Sequence, residues 1–166
     1  MSKVATYSPE DVIITLGGIY TVEGLAEGEF VSISKETRQF NSSVTADGRV
    51  SRTKVEDPTH LISITLASYS DSNLVFTSWA EADALVASAM LPLFIKDAMG
   101  STMFYAPMCW IESTPSTSFD IDVGTREWTI RAAGGVLVTG GNQSGNVLDT
   151  NLAKLGFIAA DFGGLF

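Results

Sequence analysis

The sequence has 166 residues, a mass of 17.7 kDa, 45% hydrophobic residues and only 17% charged residues. A chain of this length and composition is expected to fold as one domain, residues 1–166, with its own core, and not as a disordered protein. The net charge of -9 argues against general binding of nucleic acid through phosphate contacts, and the single cysteine excludes an intramolecular disulfide.

The first part of the chain predicts β-strands with one buried face. Apolar residues alternate with others over residues 12–16, and Gly17-Gly18 then marks a turn. In residues 61–66, Ile62, Ile64 and Leu66 share one face and small polar residues share the other. This alternation is typical of half-buried antiparallel strands.

Residues 39–55 predict one long β-hairpin. Asp47-Gly48 is a strong hairpin-turn signal, and the flanking stretches, residues 39–45 and 49–55, are polar on both faces. We therefore expect the hairpin to project from the body and to contact another subunit. The candidate interface residues are Arg38, Phe40, Val44, Asp47, Gly48, Arg49, Val50, Arg52 and Lys54.

The charges are distributed unevenly along the chain. Half of the ten basic residues lie on or beside the hairpin, whereas residues 55–166 contain twelve acidic and four basic residues. A basic arm of one subunit could therefore meet the acidic body of a neighbour. The alternative is a solvated hairpin whose charges prevent edge-to-edge aggregation.

The middle of the chain predicts one amphipathic helix over residues 72–90, laid against a sheet. Apolar residues recur there every three or four positions, Asp71 or Ser72 could cap the start, and Pro92 follows the end.

Further strands are predicted after the helix, at residues 91–96, 102–112, 119–123 and around Trp128 and Ile130. The second of these is apolar on both faces. Its expected faces are Met103, Tyr105, Cys109 and Ile111 on one side and Phe104, Met108 and Trp110 on the other. Such a strand should be covered on both sides, by the core and by either the helix or another subunit.

The sequence offers little catalytic chemistry. His60 is the only histidine and lacks the Ser-containing motif of a nucleophilic triad, so it is better interpreted as a partly exposed residue at a strand start. Asp120 and Asp122 could bind a cation, but such residues more often form the polar side of a strand. Cys109 is best interpreted as a buried thiol. We therefore predict no enzyme activity and no catalytic, cofactor or metal site. No signal peptide or membrane anchor is expected either.

The order of several short stretches resembles the tail tube proteins of contractile-tailed bacteriophages, a family of small acidic structural proteins. The matching stretches cover most of residues 7–142. They are Asp11-Val-Ile-Ile-Thr-Leu-Gly-Gly18, Val22-Glu-Gly-Leu-Ala-Glu-Gly-Glu-Phe30, Ala46-Asp-Gly-Arg-Val-Ser-Arg52, Ile62-Ser-Ile-Thr-Leu66 with Ser70 and Asn73-Leu74, Ile95-Lys-Asp-Ala-Met-Gly100, Trp110-Ile111 with Pro115, Arg126-Glu-Trp128 and Gly140-Gly-Asn142.

The resemblance implies a mainly β fold with one α-helix, in which two antiparallel sheets pack as a sandwich or barrel. It also implies hexameric rings that stack into a hollow tube for genome ejection. The implied partners are other copies of the chain, a contractile sheath protein, baseplate and terminator proteins, and double-stranded DNA that passes through the lumen without specific binding. The implied location is the virion tail, assembled in the cytoplasm of the bacterial host.

Two other functions stay open from the sequence. One is a terminator or cap of a tail on the same fold, and the other is a small β-sandwich that binds a ligand. Residues 143–166 lie beyond the matching stretches and could form a docking extension.

Overall fold

The structure is a computed structural model that describes residues 7–141. The predicted docking extension at residues 143–166 lies outside the described residues. Within them, a short 3-10 turn at Pro9–Asp11 is followed by strands and one helix, α1 (Ser72–Val86). The strands are β1 (Val12–Leu16), β2 (Tyr20–Thr21), β3 (Val31–Lys35), β4 (Phe40–Val44), β5 (Val50–Lys54), β6 (His60–Ala67), β7 (Leu91–Asp97), β8 (Met103–Ser113), β9 (Thr125–Ala133) and β10 (Val136–Val138).

Two antiparallel sheets contain these strands. The large sheet has the order β2-β1-β7-β8-β9-β6-β3, with β10 also paired to β8, and the small sheet is the hairpin β4-β5. Apolar side chains of β1, near one end of the large sheet, and of β3, at the other end, join a single core cluster. The large sheet therefore curves around its own core, which confirms the predicted sandwich-like or barrel-like fold.

The alternating strands predicted from the sequence supply this core. Ile62, Ile64 and Leu66 of β6 are fully buried, and Ile14 and Ile130 from β1 and β9 are as well. Each of these side chains faces the core because alternate residues of a strand point to the same side of the sheet.

A β-bulge changes the expected faces of β8. Leu91 pairs with Cys109 and Leu93 pairs with Ala106, so β8 contains one residue more than β7 between these two pairs. Pro107, which lacks a backbone N–H, lies in this irregular stretch. Cys109 consequently shares the buried face with Phe104, and the predicted grouping of Cys109 with Met103 and Tyr105 is wrong.

The helix packs against the core, as predicted. Phe76 and Trp79 are buried, and the Phe76 ring meets the Trp128 ring edge to face at 5.4 Å. The helix ends at Val86, however, and not near residue 90. Ala87 adopts a left-handed conformation with φ of 51°, and its N–H donates to the Asp83 carbonyl at 2.7 Å.

Three further differences concern strands. Residues 119–123, predicted as a strand, form none, and in the described part of the chain no other strand pairs with them. Strands β3 and β10 were not predicted. The alternating sequence of residues 31–35 is typical of a strand, so β3 could have been predicted. Strand β10 has only three residues, which is too short for an alternating pattern to be recognised.

Candidate assembly surface

The hairpin β4-β5 projects from the body, as predicted. Its strands pair only with each other in the described part of the chain, and every residue from Asn41 to Lys54 is exposed. The turn is closed by the Gly48 N–H, which donates to the Thr45 carbonyl at 2.9 Å. Gly48 has φ of 82°, a conformation that glycine adopts without steric cost.

The two faces of the hairpin differ in chemistry. The strand register places Phe40, Val44, Val50, Arg52 and Lys54 on one face, which we call the apolar-basic face. On it, the Arg52 guanidinium lies 4.6 Å from the centre of the Phe40 ring. The opposite face carries only hydroxyl and amide side chains: Asn41, Ser43, Ser51 and Thr53.

The tip of the hairpin has an ordered pair of opposite charges. The Thr45 hydroxyl donates to Asp47, and this hydrogen bond lowers the pKa of the Asp47 carboxyl below its ordinary value of 3.8. The Asp47 carboxylate therefore stays ionised at neutral pH, 3.2 Å from the Arg49 Nε atom. Both side chains are exposed, so this pair orients the tip and adds little stability.

The structure thus brings together most of the predicted interface residues. Five of the nine lie on the apolar-basic face, Asp47, Gly48 and Arg49 lie at the tip, and Arg38 is exposed in the connection before β4. Val44 and Val50 pair directly across the hairpin with 69% and 73% of their surfaces exposed. Their role in a subunit interface stays a prediction.

A second exposed surface was missed by the sequence analysis. Residues 119–123, which we call the acidic-apolar segment, lie in the connection between β8 and β9. Phe119, Ile121 and Val123 are 93%, 101% and 66% exposed, and Asp120 and Asp122 alternate with them. The alternation of apolar and acidic residues predicts a strand with its apolar face buried. In the structure, these apolar side chains lack a partner within the described residues.

His60 and Cys109, which the sequence offered as candidates for chemistry, are both buried. His60 is buried and not partly exposed as expected: its ring packs on Phe104 at 5.4 Å, and its Nδ1 atom lies 3.1 Å from the Pro58 carbonyl oxygen. Cys109 is buried, as predicted, and burial raises its pKa from 9.0 to about 12. A thiol with this pKa is a poor nucleophile at neutral pH.

Within residues 7–141, no group of three or more histidine, cysteine or acidic side chains is placed to hold a metal ion. Nor does this part of the chain contain a helix with the length and apolar character needed to cross a bilayer.

A cavity opens between strands β1 and β3, near the two ends of the curved sheet. It has a volume of about 490 Å³ and is lined mainly by apolar residues, among them Val12, Val31, Ile33 and Leu137. The Asp97 carboxylate at its wall already accepts a hydrogen bond from the Met99 N–H at 3.0 Å.

Comparison with known proteins finds a similar phage structural protein. No protein-family model matches the chain. The chain is 29% identical over 148 residues to Structural protein ORF10 of Pseudomonas phage KPP10, and the match covers 85% of this chain and 86% of that protein. The relative is thus named as a structural protein.

Solved structures with a similar fold come from contractile and phage-like assemblies. A chain in the anti-feeding prophage cap has a TM-score of 0.58 and 15% identity, covering 84% of this chain and 95% of its own length. A chain in the PVC sheath-tube complex of an extracellular contractile injection system has a TM-score of 0.57 and 14% identity, covering 81% and 92%. A chain in a gene transfer agent virion has a TM-score of 0.51 and 14% identity, covering 81% and 100%. The chain is therefore similar to a phage structural protein and has the fold found in tube and cap assemblies, which confirms the resemblance predicted from its sequence.

Proposed function

We propose that this protein is the structural subunit of a contractile phage tail tube. Copies form rings of six, the number that the resemblance implies, and the rings stack into a hollow conduit for genome ejection inside a contractile sheath. The observation that carries the proposal is the fold shared with proteins of the cap and sheath-tube complexes, at TM-scores of 0.58 and 0.57. The relative named as a phage structural protein agrees with it.

The large sheet offers edges for the ring contact. In the described part of the chain, β2 and β3 end the sheet, and their outer edges pair with no further strand. Two different edges that meet between neighbouring copies form a heterologous contact, which closes into a ring when the rotation allows. Pairing of these edges would also protect them from aggregation.

The net charge suits a conduit for DNA. With 19 acidic and 10 basic residues, the subunit repels phosphate overall, so a genome can move past it without adhering. The partners in this proposal are the sheath protein, the baseplate and terminator proteins, and the DNA in the lumen. The subunit then resides in the virion tail after assembly in the host cytoplasm.

A second candidate function is the cap or terminator of the tube. It is favoured by the similarity to the anti-feeding prophage cap and by a TM-score of 0.51 with a chain in the PVC sheath/tube terminator structure. A cap or terminator would form a single ring that does not stack.

Shortening the hairpin tests the proposal. Replacement of residues 42–52 by Asn-Gly leaves a minimal turn between Asn41 and Thr53, which pair in the native hairpin. Because β4 and β5 pair only with each other, the body should keep its melting temperature, whereas polymers should disappear from sedimentation and negative-stain images. Wild-type protein at the same concentration is the control. Normal tubes from the shortened variant would contradict an interface role for the hairpin.

A further inference from the structure

The acidic-apolar segment has the properties of a surface that is covered in an assembly. Phe119 and Ile121 expose 93% and 101% of their surfaces, and Val123 exposes 66%. Three large apolar side chains so close together and so exposed mark an interaction site more often than a free surface. The interleaved Asp120 and Asp122 restrict the partner to one that also carries positive charge.

The apolar-basic face of the hairpin matches this segment. It presents exposed Val44 and Val50 beside the cations Arg52 and Lys54. Strand β5 spans five residues, and so does the acidic-apolar segment. The two surfaces therefore agree in apolar character and are opposite in charge.

The topology places the two surfaces at opposite ends of one strand. The hairpin precedes β6 at His60, where Lys35 of β3 pairs. The acidic-apolar segment leads into β9 at Thr125, which pairs with Ala67 at the other end of β6. The seven steps from His60 to Ala67 span about 23 Å of extended strand. A contact between the surfaces therefore joins two copies more readily than two parts of one copy.

We infer that the hairpin of one copy docks on the acidic-apolar segment of a second copy. This inference rests on the proposed function and names the partner of the hairpin. Arg52 and Lys54 pair with Asp120 and Asp122, and the apolar side chains of both surfaces cover one another. Since the two surfaces differ, the contact is heterologous and cannot form a closed two-fold dimer. Repeated head to tail, it extends into an open stack where the rotation between copies does not close a ring.

Charge exchange within one chain tests this contact. The hairpin variant is Arg52→Glu with Lys54→Glu, the segment variant is Asp120→Lys with Asp122→Lys, and the exchanged variant carries all four changes. Each two-residue variant places like charges opposite each other and should raise the concentration needed for polymerisation about tenfold or more. The exchanged variant should restore it to within about threefold of wild type, because opposite charges face each other again.

The matched control separates pairing from net charge. It combines the hairpin variant with Glu27→Lys and Glu81→Lys, two exposed residues outside the segment, and has the same net charge as the exchanged variant. It should polymerise as poorly as the hairpin variant. All substituted residues are exposed, and equal circular-dichroism melting curves establish that each variant is folded.

The outcomes distinguish the inference from the function on which it rests. Polymerisation of the exchanged variant but not of the control supports the contact. The contact is wrong if the exchange does not restore polymerisation to the hairpin variant, or if the control restores it equally. Either result leaves the tube proposal unaffected. Wild-type protein that never polymerises, even with a nucleating baseplate, overturns the proposed function and the contact with it.

Discussion

At the residue scale, Asn73 connects the helix to the sheet. Its side-chain amide donates to the carbonyls of Ala67 and Ser70, and its side-chain oxygen accepts from the Trp128 indole N–H at 2.9 Å. Asn73 is only 7% exposed, so water cannot replace these hydrogen bonds. Its position after Asp71 and Ser72 suggested only a helix start, because the partner Trp128 is distant in the sequence.

Substitution Asn73→Ala should therefore destabilise the fold. It leaves the buried Trp128 N–H without a partner and removes two further hydrogen bonds, a loss of about 2–4 kcal/mol in the free energy of unfolding. Urea denaturation followed by tryptophan fluorescence measures the change. Asn41→Ala on the exposed hairpin is the control and should change the free energy by less than about 0.5 kcal/mol. Equal effects of the two substitutions would contradict the role given to Asn73.

Cys109 gives a prediction about pH. Burial raises its thiol pKa from 9.0 to about 12, so the folded state keeps the thiol protonated where the unfolded chain loses the proton. The resulting stabilisation is complete below pH 9.0 and is lost as the pH rises toward about 12. The stability advantage of wild type over Cys109→Ala should therefore shrink above pH 9.0, by no more than about 1.4 kcal/mol per pH unit.

Denaturation of both proteins at pH 8 and pH 10.5 measures this difference. The titration of tyrosines and lysines cancels in the comparison, because both proteins contain the same tyrosines and lysines. In parallel, a thiol reagent should leave Cys109 unmodified at pH 8 until the chain is unfolded. A difference in stability that stays constant with pH would contradict the buried environment of the thiol.

At the element scale, the end of α1 stores backbone strain. Ala87 has φ of 51°, a left-handed conformation that disfavours residues with a Cβ atom and favours glycine at helix ends. Ala87→Gly should raise the free energy of unfolding by about 0.5–1 kcal/mol. The control Ala84→Gly, at an exposed site within the helix, should lower it by about 1 kcal/mol. Thermal unfolding of both variants measures these changes, and a loss of stability with Ala87→Gly would contradict the assigned conformation.

The strands show which features could be predicted from the sequence. Residues 60–67 and 125–133 follow their alternating pattern because each strand has one face on the core. The faces of β8 could not be predicted, since the bulge near Pro107 depends on pairing with the distant strand β7. The predicted helix is about four residues longer than the observed one. The apolar spacing continues past Ala87, where the left-handed backbone conformation ends the helix.

The candidate interface was predicted only in part. The Asp47-Gly48 turn and the concentration of basic residues identified the hairpin, since both are local features. The acidic-apolar segment was assigned to a strand, because alternation looks the same whether the apolar side chains meet a core or a second copy. Only their exposure in the structure, up to 101% for Ile121, separates the two cases.

At the scale of the whole molecule, the fold supplies two kinds of contact surface. The edges β2 and β3 end the curved sheet, and the hairpin and the acidic-apolar segment lie at opposite ends of β6. In the proposed tube, contacts of the first kind would close a ring, and head-to-tail contacts of the second kind would stack the rings. A tube therefore requires both the ring contact and the stacking contact, whereas a cap or terminator requires only the ring contact.

Negative-stain electron microscopy of the purified protein over a concentration series distinguishes a tube subunit from a cap or terminator. A tube subunit should give stacked rings or long hollow tubes that lengthen with concentration. Single rings at every concentration would contradict the tube assignment and favour the cap or terminator. Compact monomers throughout, with a purified baseplate added as nucleus, would contradict both assignments.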